Sequence, residues 1–192
     1  MKNYVKSYEA FLVGKVVDLA VIDMNFVKKH SWHTWLNDHK LTKYTKQGYF
    51  PISKKEHYNY VQENILSKKR LQLGIIKKKN NCILGMLSLY NINNFDQCCS
   101  VSALMNMNNK EIDSVKYLIE AQTILIRHAF NKLNLKRVEA AANDKKLCRM
   151  NEKLFGFKCE GVLKERDYID GEFKDRFILA ILKKDWNNNN KK

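Results

Sequence analysis

Apolar and β-branched residues run together at several places along the chain, and these runs predict about seven strands. The first five are residues 12–22, 71–76, 82–90, 100–105 and 137–142. Two more follow Gly156 and are joined by a turn at residues 169–171. Short apolar runs bounded by turn-forming residues are typical of strands, and Asn80-Asn81 supplies such a turn between the second and the third.

A 3.6-residue spacing of apolar positions predicts helices elsewhere in the chain. The spacing is clearest over residues 114–133. The apolar face of that helix would carry Val115, Leu118, Ile119, Leu125, Ile126, Ala129 and Phe130. An amphipathic segment over residues 25–36 predicts a second helix. Ser53 followed by Glu56 is the capping-box pattern that begins a helix, which we expect to continue to Ile65.

The order of these elements predicts the fold class. The long helix lies between strands 100–105 and 137–142, and a strand–helix–strand crossover requires the two strands to be parallel. The other strands follow tight turns, or a short helix that ends at Gly156, and are expected to be antiparallel. The pattern therefore indicates an α/β (α+β) fold, with a mixed, mostly antiparallel sheet of about seven strands and helices on both faces.

The composition supports one hydrophobic core. The 192 residues include only 7 glycines and 1 proline, 45% of them are hydrophobic, and no linker-like segment divides them. A chain of this length can bury a substantial core. We expect a single domain over residues 1–186 and a disordered tail over residues 187–192, which contain only asparagine and lysine.

The chain is strongly basic, with a formal net charge of +15 at pH 7 and a pI of about 9.6. Such a charge attracts polyanions, including nucleic acids, anionic membranes and phosphorylated ligands. The alternative is a general enrichment in lysine and asparagine, with solvated lysines in runs such as 68–70 and 77–79. We favour the second interpretation over a dedicated nucleic-acid surface, since charge alone supports only non-specific attraction and the sequence has no helix-turn-helix signature, zinc pattern or aromatic RNA-binding strand.

The cysteine and histidine patterns predict no metal site. The five cysteines are Cys82, Cys98, Cys99, Cys148 and Cys159. None has CxxC spacing, and an odd number in a lysine-rich chain indicates a reducing compartment. His30 and His33 have helical spacing, but no acidic or cysteine partner follows at ligand spacing. Because we find neither a signal peptide nor an 18-residue apolar run, we expect a cytoplasmic protein.

The last third of the chain carries the most informative sequence. Residues 134–144 read NLKRVEAAAND, a short helix then ends at the FGF segment 155–157, and two strands follow. This order resembles the C-terminal half of the GNAT-type acyl-CoA N-acyltransferases. The segments WLND at 35–38 and FPIS at 50–53 resemble the branch that contains ribosomal-protein alanine and nucleotide-amino-sugar acetyltransferases, and residues 160–186 are most similar to the sugar enzymes.

The resemblance implies that an acyl-CoA, with acetyl-CoA as the first candidate, binds at the start of the long helix and on the strand before it. In the family a glycine-containing turn there presents backbone N–H groups to the CoA pyrophosphate. Asp113, Lys116 and Leu118 occupy its key positions here, so a cation stands where the family has a small residue. The implied cofactor-binding residues are Leu104, Met105, Asn106, Ser114, Val115, Lys116, Tyr117, Leu118, Ile119, Asn143 and Cys148.

The resemblance also implies two catalytic positions. Ser102 stands where the family often has a glutamate base, and a serine cannot act as that base unaided. Glu152 stands where the family often has a tyrosine acid, and its carboxyl could serve as acid or base. The alternatives are structural: a polar strand residue for Ser102, a solvated helix face for Glu152, a turn residue for Asn143 and a packed small side chain for Cys148.

The acceptor site of this branch begins at Trp35, Asn37 and Asp38, although Trp35 could equally be core and Asn37-Asp38 a helix end. The resemblance thus implies an N-acyltransferase that moves an acetyl or other acyl group from acyl-CoA to a primary amine. The expected acceptor is an amino-sugar nucleotide, transfer is direct, and a homodimer is common in this fold. The alternatives are a degenerate GNAT-fold binding or scaffold protein, a protein N-terminal acetyltransferase and a basic nucleic-acid-binding protein.

Overall fold

The computed structural model describes residues 7–30, 32–42, 48–66, 70–106 and 114–189. Its strands are β1 (Ala10–Val13), β2 (Val17–Val21), β3 (Leu71–Lys77), β4 (Cys82–Asn93), β5 (Cys98–Met105), β6 (Arg137–Ala142), β7 (Lys158–Ile169) and β8 (Glu172–Leu182). They form one eight-stranded sheet in the order β1-β2-β3-β4-β5-β6-β8-β7. Of the pairings described, that of β5 with β6 is parallel and the others are antiparallel. The predicted mixed, mostly antiparallel sheet is confirmed.

The helices in the described ranges are α1 (Met24–Lys29), α2 (His33–Leu36), α3 (His39–Thr42), α4 (Lys54–Tyr60), α5 (Ser114–Asn131), α6 (Lys145–Phe155) and α7 (Lys183–Asn189). The predicted capping box begins α4. Ser53 Oγ accepts the Glu56 N–H at 3.2 Å, and the Glu56 carboxylate accepts the Ser53 N–H at 2.7 Å. A π-helical segment, Val61–Leu66, continues α4 as far as the prediction placed it. None of the described helices is long and apolar enough to cross a membrane.

The predicted strand over residues 12–22 is two strands, because the chain turns at Gly14. The Gly14 N–H donates to the Val17 carbonyl at 3.0 Å and closes a hairpin between β1 and β2. A Cβ at Gly14 would lie 2.4 Å from that carbonyl oxygen and 2.7 Å from Oε1 of Glu120. Since Glu120 on α5 also accepts the Val16 N–H at 3.0 Å, the turn lies directly against the helix.

Replacing Gly14 with alanine is expected to lower the free energy of unfolding by about 1–2 kcal/mol, because the added methyl group would collide with backbone. Urea denaturation followed by circular dichroism would measure the loss. Gly161 is the matched control, since a Cβ there would meet nothing within 4 Å. Gly161→Ala should change stability by no more than about 0.5 kcal/mol, and equal losses in the two variants would contradict the crowding argument.

The helix predicted over residues 25–36 is broken into α1 and α2. His30 caps the end of α1 in an extended conformation, and the Trp32 N–H then donates to the His30 carbonyl at 2.7 Å. Trp32 is buried, and its ring lies edge-on to Phe26 with 5.9 Å between centroids. Six residues of continuous helix would place these two side chains about 120° apart around the axis. The break is what allows the two rings to pack together.

The C-terminal elements follow the predicted order. β6 has the predicted bounds, and Gly156 ends α6 in the left-handed conformation at φ 76°. The structure adds α7, which extends through residues 187–189 where the composition predicts disorder; residues 190–192 lie outside the described ranges. Trp186 is buried with its ring centroid 6.1 Å from that of Phe130, and this contact fixes a helix that its asparagines alone would not favour.

The chain divides into two compact units, each with its own buried residues. The first unit is Met1–Tyr90 with Ser102–Leu125, and the second is Asn91–Val101 with Ile126–Lys192. The buried cluster of the first unit comprises Ala20, Ile22, Phe26, Val27, Trp32, Val61, Ile65, Ile76 and Met86. The second unit buries Phe130, Leu135, Val138, Leu179, Ile181 and Trp186. A single domain over residues 1–186 therefore stays a prediction.

Candidate active site

The end of β5 carries three of the predicted cofactor-binding residues, Leu104, Met105 and Asn106, all of them half-buried. The Asn106 N–H donates to the Leu84 carbonyl at 2.8 Å and holds the end of β5 against β4. The two strands approach so closely that a Cβ at Gly85 would lie 2.5 Å from the Leu104 carbonyl oxygen. The described pairing of β5 with β6 ends well before this point, at Ser100 paired with Glu139. A strand that continues beyond its last hydrogen-bonded pair with a neighbouring strand can present backbone N–H groups to a bound carbonyl.

Ser102, predicted at the catalytic base position, lies on β5 with its side chain exposed. Its hydroxyl is 2.9 Å from the hydroxyl of Ser88 on β4, and either oxygen can donate. Ser88 is buried. A hydroxyl pair across two strands provides a hydrogen bond but no group basic enough to accept a proton at neutral pH, which agrees with a structural role for Ser102.

The first turns of α5 carry the other predicted cofactor residues of the first unit. α5 begins at Ser114, and Asp113 lies outside the described residues. Val115 is 51% exposed and Lys116 is also exposed, whereas Tyr117 is 8% exposed. Leu118 and Ile119 are half-buried. Exposed positions at a helix start are accessible to a ligand, and Val115 and Lys116 are two such positions of the predicted set.

Two adjacent lysines at the end of β3 lie at the same end of the first unit. The Lys77 ammonium lies 5.3 Å from the centroid of the Tyr117 ring. The Lys78 ammonium donates to the Gly14 carbonyl at 2.8 Å and lies 3.6 Å from Oδ1 of the buried Asp18. The turns that follow β1 and β3 therefore both reach the first turns of α5.

The remaining predicted residues belong to the second unit. Cys148 and Glu152 lie one turn apart on α6, and Asn143 lies in the turn that precedes it. Cys148 is buried, and burial together with the neighbouring thiol of Cys159 raises its pKa to about 11. A thiol with so high a pKa is a poor nucleophile at neutral pH, which agrees with a packing role. Glu152 is half-exposed, as an acid or base must be to exchange protons.

The three predicted acceptor residues all have structural roles. Trp35 packs, half-buried, against the buried cluster of the first unit. The Asn37 side chain donates to the Ile52 carbonyl at 2.9 Å and accepts the Ile52 N–H at 2.8 Å. Asp38 accepts the Lys40 N–H at 2.9 Å at the start of α3. The two Asn37 hydrogen bonds position the segment that precedes α4.

His57 on α4 is the residue that the sequence analysis missed. It is 1% exposed, and neither ring nitrogen has a hydrogen-bond partner among the described residues. Its ring lies edge-on to Trp32 at 4.5 Å and 5.8 Å from the ring of His33. Burial, with a smaller contribution from His33, lowers the pKa of His57 to about 4. The spacing of His57 with Val61 and Ile65 on one helical face is the signal that could have identified it.

No three histidine, cysteine or acidic side chains within the described ranges cluster closely enough to hold a metal ion.

Comparisons with known sequences all point to one family. Residues 27–147 match the acetyltransferase (GNAT) domain family. The chain is 27% identical over 126 residues to the probable N-acetyltransferase YjcK of Bacillus subtilis (strain 168), which covers 65% of this chain and 68% of the relative. It is also 27% identical over 118 residues to the putative ribosomal N-acetyltransferase YdaF of the same organism, with 60% and 61% covered.

Solved structures share the fold. A spermidine N-acetyltransferase from Vibrio cholerae, in complex with CoA and spermine, superposes with a TM-score of 0.78 at 18% identity, covering 91% of this chain and 100% of the other. RimL, a ribosomal L7/L12 α-N-protein acetyltransferase in complex with CoA, gives a TM-score of 0.76 at 18% identity, with 91% and 98% covered. At such identities the likeness establishes the fold alone.

Proposed function

The chain belongs to the acetyltransferase (GNAT) family and is an N-acetyltransferase, and we propose that it uses acetyl-CoA to acetylate a primary amine on an anionic acceptor. Nucleotide-linked amino sugars are the acceptor class that we would test first. The solved relatives with bound CoA support the donor. The acceptor rests on the charge of this chain and on its resemblance to the sugar enzymes.

Net charge is the observation that carries the choice of acceptor. The chain has a formal charge of +15, and residues 24–42, which include the acceptor candidates, contain three lysines and one aspartate. Such a surface attracts anions and repels polyamines, which are polycations at neutral pH. The Vibrio cholerae relative is named for spermidine, but this chain opposes the approach of that kind of acceptor.

The reaction that we propose is direct transfer. The neutral amine attacks the thioester carbonyl, a C–N bond forms, the C–S bond breaks, and CoA leaves as a thiolate. Backbone N–H groups near Leu104–Asn106 would polarise the carbonyl. The proton lost by the amine must reach a base, and the thiolate must gain a proton. On the resemblance alone, Glu152 is the candidate for this proton transfer.

Two measurements test the proposal in sequence. Calorimetric titration with acetyl-CoA at moderate salt, with ATP as a polyanion control, would show whether the donor binds specifically. Release of free CoA thiol would then be followed with a nucleotide-linked amino sugar, spermidine and a peptide N-terminus. We expect acetyl-CoA to bind more tightly than ATP and the anionic sugar to react fastest.

The outcomes separate the alternatives. Fastest turnover of the peptide would favour a protein N-terminal acetyltransferase, to which the similarity with YdaF also points. Fastest turnover of spermidine would contradict the charge argument. Donor binding without turnover of any amine would support a binding or scaffold protein.

Replacing Glu152 with glutamine is expected to lower kcat about 100-fold while changing the Kd of acetyl-CoA less than about twofold, because glutamine keeps the shape but cannot carry the proton. Steady-state thiol release and calorimetry would measure the two quantities.

Two controls accompany this variant. Lys153→Gln alters the neighbouring exposed charge on α6 and should leave kcat within about twofold. Ser102→Ala should lower kcat by no more than about threefold, because the Ser102 hydroxyl forms only a cross-strand hydrogen bond. If Ser102→Ala lowered kcat as much as Glu152→Gln, the assignment of the proton transfer to Glu152 would be contradicted.

A further inference from the structure

Arg70, the residue before β3, is held between two tyrosines of the first unit. Its Nη1 donates to the Tyr60 hydroxyl, and its guanidinium lies 5.3 Å from the centroid of the Tyr90 ring. All three side chains are half-buried. We propose that Arg70 binds a phosphate group of the acceptor and so selects amines that are linked to a nucleotide. This inference rests on the proposed function and names the residue that recognises the anion.

The positive charge of Arg70 has no internal counterion within the described ranges. Its contacts there are with the Tyr60 hydroxyl and the Tyr90 ring, and no described carboxylate forms an ion pair with it. A guanidinium stays protonated at neutral pH and carries five N–H donors in a planar fork. Tyr60 uses one of these donors, so others can donate in a pair to two oxygens of a phosphate.

A row of polar side chains, the polar row, leads from Arg70 across the sheet to Ser102. The Tyr60 hydroxyl, which accepts from Arg70, donates to Oε1 of Gln72 on β3 at 3.5 Å. Gln72 lies directly opposite Ser88 on β4, and the Ser88 hydroxyl is 2.9 Å from that of Ser102 on β5. Residues directly opposite each other on antiparallel strands point to the same face, so these side chains share one face of the sheet.

The same face of the sheet carries an acceptor candidate. Met86 lies two residues before Ser88 on a regular stretch of β4, so the two side chains point to the same face. Met86 belongs to the buried cluster of the first unit, against which both Tyr60 and Trp35 pack. Trp35, an acceptor candidate, therefore lies on the same side of the sheet as the polar row.

The length of the polar row indicates the size of the acceptor. Neighbouring strands lie about 4.8 Å apart, so Gln72 and Ser102, two strands apart, are separated by about 10 Å. Arg70 precedes Gln72 by two residues, and a rise of about 3.3 Å per residue places the Cα atoms of Arg70 and Ser102 about 12 Å apart. A phosphate at Arg70 and an amine beside Ser102 would thus belong to opposite ends of an extended acceptor, as in a sugar joined to a nucleotide.

The test compares variants of Arg70 with a matched control. Arg70→Met removes the charge and keeps an apolar side chain over Tyr90, whereas Arg70→Lys keeps the charge without the planar fork. Tyr60→Phe removes only the hydroxyl that holds the guanidinium. Arg127→Met removes the same charge from an exposed position on α5, in the second unit. Thermal unfolding of each variant would confirm that it is folded.

Three ligands separate the phosphate from the amine: UDP-glucosamine carries both, UDP-glucose only the phosphates and glucosamine only the amine. Calorimetry in saturating CoA, which occupies the donor site, would measure each Kd. We expect Arg70→Met to weaken the binding of both UDP ligands about tenfold, Arg70→Lys and Tyr60→Phe about threefold, and Arg127→Met less than about twofold. Glucosamine should bind all variants alike. In thiol release from acetyl-CoA, Arg70→Met should raise the KM of UDP-glucosamine about tenfold at an unchanged kcat, because the phosphate is remote from the reacting amine.

The inference and the proposed function can fail separately. Unchanged affinity of Arg70→Met for the UDP ligands, or an equal loss in Arg127→Met, would overturn the phosphate site, and the proposed function would stand if wild-type protein acetylates UDP-glucosamine. Loss of thermal stability in Arg70→Met without a change in Kd would assign Arg70 a structural role alone. Binding of UDP-glucose that depends on Arg70, without thiol release in the presence of any amine, would support the site and overturn the proposed reaction. Wild-type protein that binds neither UDP ligand would overturn both the site and the anionic acceptor.

Discussion

Replacing Arg176 with methionine is expected to lower the free energy of unfolding by about 3 kcal/mol. Arg176 on β8 forms a bidentate ion pair with Asp167 on β7. Its Nε donates to Oδ2 at 2.7 Å, and its Nη2 donates to Oδ1. Asp167 is only 5% exposed. Removal of the guanidinium would leave a buried carboxylate without its strongest described partner, and such a charge is costly in a low-dielectric environment. Urea denaturation at pH 7 would measure the loss.

The same hairpin offers a matched control. Lys164 pairs with Asp175 at 2.8 Å, but the Lys164 side chain is 79% exposed. Lys164→Met should cost less than about 1 kcal/mol, because solvent screens an exposed pair and ordering the side chains offsets much of the attraction. Adding Asp167→Asn to Arg176→Met should recover part of the stability. Equal losses in Arg176→Met and Lys164→Met would show that burial of Asp167 is not the cause.

Elements with local signals could be predicted from the sequence. β6 was placed correctly because a β-branched and small apolar run is bounded on both sides by polar residues. The Ser53–Glu56 capping box and the Gly156 stop were also correct, since both depend on hydrogen bonds or backbone dihedral angles within a few residues. The parallel pairing of β5 with β6 followed from the crossover rule.

The strand and helix boundaries that were predicted wrongly depend on tertiary packing. The break at Gly14 depends on the close approach of Glu120 and of the Val17 carbonyl, and only the second is near in sequence. The break after α1 depends on burying Trp32 against Phe26. Tertiary packing overrides the periodicity in both places, which a single-sequence pattern cannot show.

The candidate site also combines residues that the sequence could suggest with contacts that depend on tertiary packing. The catalytic roles of Ser102 and Glu152 stay predictions from the resemblance, and the Ser88–Ser102 contact depends on a cross-strand register that the sequence alone does not give. The contacts of Lys77 with Tyr117 and of Lys78 with Asp18 could not be predicted, because the two members of each pair are far apart in sequence.

His57 provides the last prediction, a loss of stability between pH 7 and pH 5. Its pKa is about 4 in the folded protein, lowered by burial and then by His33, and about 6.5 in an unfolded chain. As the pH falls below about 6.5, the unfolded state takes up the proton first, so folding becomes less favourable. The expected loss from this residue is about 2 kcal/mol at pH 5, and it reaches about 3 kcal/mol near pH 4.

A substitution isolates this contribution from other titrating groups. His57→Leu has a similar volume and no proton to gain, so its free energy of unfolding at pH 7 should lie within about 1 kcal/mol of wild type. Its decrease between pH 7 and pH 5 should be about 2 kcal/mol smaller than that of wild type, as measured by urea denaturation at each pH. His39→Leu, at an exposed histidine, should keep the wild-type decrease.

The comparison of His57→Leu with the wild-type protein also tests whether His57 has a role in acceptor binding. An imidazole whose nitrogens have no partner among the described residues is retained at a cost, and groups of this kind are concentrated at functional sites. If His57 serves acceptor binding beside Trp32 and His33, His57→Leu should raise the KM of the acceptor and leave the Kd of acetyl-CoA unchanged. A variant that loses the pH dependence of stability but keeps the wild-type KM would assign His57 to the core alone.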